Sequence, residues 1–471
     1  MSTTADPELY AELRRRRRTI EGTIAGYKAK IAASERELEE CLQMLQQFPQ
    51  VYPILTLPNE ITSEIFMHCL PSSSYLPSTP NPRNAPMLLL HICKAWRSVA
   101  ISTPSLWAEL RLTLDRLPRS FFEAENLEIF LADWLARVGA CPLSVHLYGF
   151  LPNAEDGQRF MTTNLDRLSS HIQALTLDIP ISHYPEHSLR FPRLRDLALG
   201  YNGEEDLVGL ESASPIQTFS AASQLRKLDL FSGAAPSHFA VPWETLEAFT
   251  SEELSAQECA DVLRLAPSLV TATFLEPLDS EVQSISHNNL KSLVISHAGD
   301  TLLQSLTFPA LHDLTISSYD MKHAPLLQFI SRASPSLLKL VVPAPPMQAL
   351  QNMPVLTHLR LFAPETDHLT EFIRMLDRAQ TPGFLPQLQV LEFTGCLPFV
   401  NLFLAMALSS RCAVAEDGAA KLRSFSQIWD QSPLTFEALQ FNHEGHIGLA
   451  FKKLVQAGME IYIGPPKPGQ Y

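Results

Sequence analysis

The chain has 471 residues, 46% of them hydrophobic and 18% charged, with a formal net charge of −14. That length holds two or three domains. The acidic balance excludes a general nucleic-acid binder, which needs a basic footprint, and no apolar run reaches the roughly 20 residues of a membrane span. Seven cysteines stand singly, and Met1 to Pro7 lacks the basic and apolar stretches of a signal peptide. The expected home is therefore cytoplasmic, nuclear or both, with reduced thiols.

From Tyr10 to Leu45 apolar residues follow a seven-residue rhythm. With Ile24, Ile31, Leu38 and Leu45 at position a, Leu13, Ile20, Tyr27 and Cys41 fall at d. This predicts an N-terminal helix in segment 1–50. It either pairs as a two-stranded coiled coil, giving a homodimer through residues 10–45, or folds back on the body as a single helix. Arg17 and Ser34 interrupt the seam, and Gly22 and Gly26 weaken the helix. The run Arg14–Arg18 reads as a solvated face, or else as an import signal or a contact for an anionic surface. Pro49 closes the element.

Segment 51–110 predicts three short helices. Leu57-Pro58 starts the first, because proline suits a first helical turn and Glu60 complements the dipole there. Ile61, Ile65 and Phe66 are expected to form one apolar stripe. A second helix carries Leu89, Ile92, Cys93, Trp96 and Val99, and a third holds Leu106 and Trp107. The polar, proline-rich stretch 71–87 between the first two is expected as a surface loop. Three helices of this size bury little alone and leave apolar side chains exposed unless a partner covers them.

Segment 111–164 reads as a linker or irregular first unit. It has a helix face made by Phe122, Leu127, Phe130, Leu131, Trp134, Leu135 and Val138, followed by an alternating strand Leu143–Leu147. From 165 to 463 a phrase L-x-x-L-x-L recurs. Copies start at Ile172, Leu194, Leu225, Leu246, Leu269, Leu290, Leu311, Leu337, Leu356 and Leu388, mostly about 19–26 residues apart. The last two leucines of each phrase point to one face of a strand, which is buried only if neighbours stack as a parallel ladder. Helical stretches such as Cys259–Leu265 and Leu326–Ile330 lie between. Thr435 to Ile463 reads as a capping helix and strand, and 464–471 as a proline-rich tail.

The combination of Leu57-Pro58-Asn59-Glu60-Ile61, Ile65-Phe66, Cys93-Lys94-Ala95-Trp96-Arg97 and Leu106-Trp107 resembles an F-box. The recurring phrase resembles a degenerate leucine-rich repeat, of the kind found in the F-box families expanded in mushroom-forming fungi. The resemblance implies an α/β architecture: an N-terminal helix, a small three-helix F-box, and a curved solenoid with a parallel strand ladder and outer helices. It implies a non-catalytic substrate receptor of an SCF-type (Skp1–cullin–F-box) ubiquitin ligase. Leu57, Pro58, Ile61, Ile65, Phe66, Cys93, Trp96, Leu106 and Trp107 would be the adaptor contacts and small core, with a Skp1-like adaptor and a cullin scaffold as partners. A protein client would meet the concave face, where Asp229, Phe231, Thr315, Arg360, Phe362 and Glu392 are the candidate contacts. The alternative is a repeat scaffold that never joins a ligase. The sequence departs from the families in its long loop and in lacking the asparagine that follows the third leucine of many repeats.

Phosphate-loop, dinucleotide, zinc-protease and nucleophile-elbow motifs are absent from the sequence. The histidine pairs His183/His187 and His443/His446 lack a third ligand, and the acidic pairs Glu204-Glu205 and Glu252-Glu253 carry no catalytic geometry. No catalytic residue, metal or cofactor is expected, nor any contact with nucleic acid or membrane.

Overall fold

A computed structural model describes the chain from residue 7 onward, except segments 48–52, 72–80, 118–123, 152–153, 202–213, 298–299, 318–321, 334–335, 363–365, 396–400, 413–417, 429–445 and 466–471 and positions 186 and 344. Much of the 71–87 loop, Phe122, Glu204-Glu205, His443, most of the tail and the start of the expected capping helix lie outside the described residues.

The fold is mixed α/β. Helix α1 (Pro7–Gln47) is followed by a short 3₁₀ turn (Pro53–Thr56) and by α2 (Asn59–His68), α3 (Leu89–Ile92) and α4 (Lys94–Ile101). A second 3₁₀ turn (Pro104–Trp107) leads into β1 (Glu109–Thr113), then α5 (Ala124–Val138) and β2 (Leu143–Tyr148). The remaining strands are β3 (Ile172–Asp178), β4 (Asp196–Gly200), β5 (Lys227–Leu230), β6 (Ala248–Glu252), β7 (Thr271–Leu275), β8 (Ile285–Ser286), β9 (Ser292–Ser296), β10 (Leu306–Thr307), β11 (Asp313–Ser317), β12 (Lys339–Val342), β13 (His358–Phe362), β14 (Val390–Thr394), β15 (Ser424–Ile428) and β16 (Glu460–Gly464).

Fourteen of these strands form one sheet whose order follows the chain from β1 to β16, while β8 and β10 pair separately. The pairings are parallel. Each phrase expected from the leucine spacing contains a strand. Their registers align the fourth phrase position into one inward row, running from Leu110 and Val145 through Leu197, Phe249, Leu293 and Leu359 to Phe425. These side chains are buried against helices such as Ala256–Leu265 and His323–Ala333. A parallel strand cannot return by a hairpin, so each crossover supplies the second layer that covers the sheet.

The chain leaves several strands through a left-handed residue: Gly149, Ser232, Glu253, Glu276, His297 and Gly395 all have φ between 48° and 81°. Before turning, Glu253 N donates to Leu275 O at 2.9 Å and Glu276 N to Ser296 O at 3.0 Å, extending the ladder by one bond. A non-glycine residue tolerates this corner because the bonds on either side fix it.

Buried polar groups brace the layer between the strands and the outer helices. Arg411, only 1% exposed, donates from Nε to Leu376 O (2.8 Å), from Nη1 to Leu385 O (2.9 Å) and from Nη2 to Phe384 O (2.6 Å). Burial lowers its pKa to about 10, so it stays charged at neutral pH. Buried His287 accepts from Leu290 N on Nδ1 at 3.1 Å, which leaves Nε2 to donate to Ala266 O at 3.1 Å.

Candidate functional site

The helical unit is built on a small aromatic core. Phe66 of α2 is 1% exposed and packs 5.0 Å from the half-buried ring of Trp96 on α4. Ser63 Oγ and Thr103 Oγ1, 2.8 Å apart, tie α2 to the segment after α4. Trp107 is buried, with its Nε1 donating to Ala100 O at 2.8 Å and its ring 4.9 Å from that of Trp134 on α5. Trp134 Nε1 donates in turn to Trp107 O at 2.8 Å, and the Arg137 guanidinium lies 4.5 Å over the Trp107 ring. Leu106 is buried beside them.

Three expectations are corrected here. Ile61, Ile65 and Phe66 do not share a stripe: Thr62 and Phe66 face inward, while Ile61 is 50% and Ile65 38% exposed. One residue is a 100° rotation on a helix, enough to move a side chain from core to solvent. Ile61 and Ile65, one turn apart on α2, form an outward ridge, and Leu57 (37% exposed) and Pro58, just before the helix, are exposed as well. The second expected helix is two: Cys93 is extended (φ −156°, ψ 168°), ends α3, and caps α4 by accepting from Trp96 N at 3.4 Å. Ala85 and Pro86, expected in a surface loop, are buried.

The structure therefore separates the predicted adaptor residues into two sets. Phe66, Leu106, Trp107 and, in part, Trp96 and the half-buried cap Cys93 hold the unit together; Leu57, Pro58, Ile61 and Ile65 face solvent. Ile54, Leu55, Ile92 and Ile101 are exposed as well.

The predicted client residues all lie on the outward face of the sheet. Register places Asp229, Thr315, Arg360 and Glu392 in one row. Between and beside them the row carries Thr176, Ala198, Thr250, Thr273, Val294, Val341 and Ser426. Its charges are paired: Arg360 Nε meets Glu392 Oε2 at 2.6 Å and Asp229 Oδ2 meets Lys227 Nζ at 2.8 Å. Val341, although in this row, is buried. Phe362 sits in the next row opposite Thr394. Phe231 lies over the neighbouring strand, where a Cβ on Gly200 would come within 2.4 Å of its ring, so only glycine fits there. The two aromatics are not brought together: at about 4.8 Å per strand, the six sheet steps from β5 to β13 separate them by roughly 29 Å.

A titratable cluster that the sequence reading missed occupies the first strands. Glu109 Oε1 lies 2.5 Å from Arg111 Nη2 and 3.3 Å from His146 Nε2. The hydrogen bond with His146, reinforced by Arg111, lowers the Glu109 carboxyl to about 2. The His146 and Tyr148 rings stack at 6.4 Å, and burial pushes the Tyr148 hydroxyl up. Burial also raises the Asp178 carboxyl, whose Oδ1 is buried without a hydrogen-bond partner among the described residues. The alternation Glu109-Leu-Arg-Leu-Thr was the available signal.

Where β3 and β4 begin, Gln173, Arg193, Arg195 and Gln224 line an open depression of about 400 Å³.

Of the expected histidine pairs, His183 is buried and His187 exposed. No group of three His, Cys, Asp or Glu side chains among the described residues could hold a metal ion. Burial pushes the Cys259 thiol far up, away from the reactive thiolate. No helix among the described residues is long and apolar enough to cross a membrane. No protein-family model matches the chain, and no curated protein matches it in sequence.

Proposed function

We propose that the chain is a non-catalytic substrate receptor of an SCF-type ubiquitin ligase. The helical unit binds a Skp1-like adaptor, which joins it to a cullin scaffold, and the outward face of the sheet holds a protein client. Tethering of this kind raises the client's effective concentration beside the transfer machinery.

The observation that carries the reading is the exposed ridge Ile61–Ile65 on α2, with exposed Leu57 just before the helix, beside a face on which Phe66 is already packed against Trp96. Apolar side chains repeated along one exposed helix face suit a partner surface better than water. On the outward face of the sheet, half-buried threonines and valines with paired charges suit an uncharged or mixed peptide. A phosphorylated segment would find Arg360 already neutralised by Glu392.

Calorimetry with a purified Skp1-type adaptor tests the proposal. Binding at submicromolar affinity is expected for the full chain and at least a tenfold loss for Ile61→Asp/Ile65→Asp, with an unchanged unfolding midpoint. Ile61 and Ile65 are better probes than Trp96, whose removal would also open the core around Phe66. A well-folded chain that ignores the adaptor would overturn the ligase role and leave a binding scaffold outside any ligase. Full binding by the double variant would remove α2 as the contact.

A further inference from the structure

We propose that α1 pairs with the same helix of a second copy as an antiparallel two-stranded coiled coil centred near Ala25. The helix has 41 residues, and each of its described side chains is exposed. Leu13, Ile20, Ile24, Tyr27, Ile31 and Leu38 are between 47% and 62% exposed, so the heptad seam is not covered by the other described residues. Gly22 and Gly26 fall at outer positions f and c of that heptad, and a Cβ on either would meet nothing within 4 Å. They leave the seam intact.

The choice of a second copy, and of its direction, follows from charge and register. Charge is uneven along the helix: Arg14–Arg18 outweigh Glu8, Glu12 and Glu21 in its first half, and Glu35, Glu37, Glu39 and Glu40 outweigh Lys28, Lys30 and Arg36 in its second. In the antiparallel pairing each a residue faces a d residue. Ile24 meets Tyr27, Ile31 meets Ile20, Leu38 meets Leu13 and Tyr10 meets Cys41, each across the two copies. Arg17 and Ser34, the two residues that interrupt the seam, face each other and share one layer. The flanks then match in sign, with Arg14 beside Glu35, Arg16 beside Glu37 and Lys28 beside Glu21. A parallel pair would also gain Arg16–Glu21 and Lys30–Glu35 contacts. It would, however, lay the two Arg14–Arg18 runs side by side and set Arg17 against itself in the seam, where desolvation makes like charges costly. A helix of this length spans about 60 Å, and a strip about 10 Å wide on each copy buries ~1,200 Å² in total, the lower limit for a stable interface.

The full chain tests this by sedimentation equilibrium. The expected mass is twice the 52.5 kDa of one chain, falling to one chain in Ile24→Asp/Ile31→Asp while the unfolding midpoint of the body is unchanged. A short bismaleimide reads the direction: Tyr10→Cys is expected to link position 10 of one copy to Cys41 of the other, with no Cys41-to-Cys41 link in the wild type. Arg16→Glu and Glu37→Arg should each weaken the dimer and restore it when combined. A monomeric wild type, a dimer indifferent to Ile24→Asp/Ile31→Asp, or a Cys41-to-Cys41 link would each overturn the proposal.

Discussion

The helical unit and the sheet use the same side chains in opposite ways. In the sheet, leucines and isoleucines at fixed phrase positions, from Leu110 to Leu391, are almost wholly buried. In the helical unit, Leu57, Ile61, Ile65, Ile92 and Ile101 stay in solvent while the core is made of Phe66, Trp96 and Trp107. Every strand of the ladder has a neighbour to cover its inner face, whereas a short helix has one side to bury and another left over. Composition is therefore a poor guide to which apolar residues stabilise the fold and which serve as surface; position in the repeat decides it.

The widest difference between the regions should appear on truncation. Phe274→Ala removes a ring that is fully buried in β7 and lies 6.1 Å from Phe249, at an expected cost of about 3–5 kcal/mol. Ile61→Ala should stay within about 0.5 kcal/mol. Urea unfolding of both variants reads this contrast, and a costly Ile61→Ala would mean that the ridge is packed rather than free.

Arg411→Ala asks whether polar groups in the sheet region matter as much as apolar ones. It strands three buried carbonyls that Arg411 now satisfies. The expected loss is about 3 kcal/mol, measured as a lower urea midpoint. A change below about 1 kcal/mol would show that water replaces the guanidinium.

The smallest effect lies where the two regions meet. The Glu109 carboxyl ionises at about 2 in the folded chain, below its ordinary 4.5. Its contribution is therefore complete above pH 4.5 and is lost as the pH falls through 2. The side chain is 43% exposed, which keeps the gain well under about 1 kcal/mol. Glu109→Gln should leave stability at pH 7 nearly unchanged and flatten the acid limb of the midpoint-versus-pH curve between those values. An acid limb as steep as that of the wild type would show that other carboxylates govern it.

Much of the sheet was legible because a leucine phrase repeats. What escaped reading departs from the phrase: the copy leading into β1 begins with Trp107 in place of a leucine, and the copy through β15 places Gln427 where a third leucine would stand. The helical unit was harder, because helix spacing alone cannot say which of two faces one residue apart is buried. Ile61 and Phe66 needed the position of Trp96 to be told apart. The break at Cys93 was hidden for a similar reason: an apolar spacing of three and four survives a single extended residue. Arg411 reads as an ordinary surface charge until the carbonyls around it are in place. On the outward face, sequence named the right row but not its pairings, since the partner of Arg360 lies on another strand.

Trp107 ends the helical unit and also begins the first ladder phrase, Trp107-x-x-Leu110-x-Leu112, with Trp134 and Arg137 closing over it. Anyone splicing this helical unit onto another protein has no neutral place to cut between the two regions. A junction after Trp107 takes the opening residue of the sheet away with the graft, and a junction before it leaves Ala100 without its indole donor. A working chimera has to carry α5 and β1 along, so the smallest transplantable piece extends well past the helices that would do the docking.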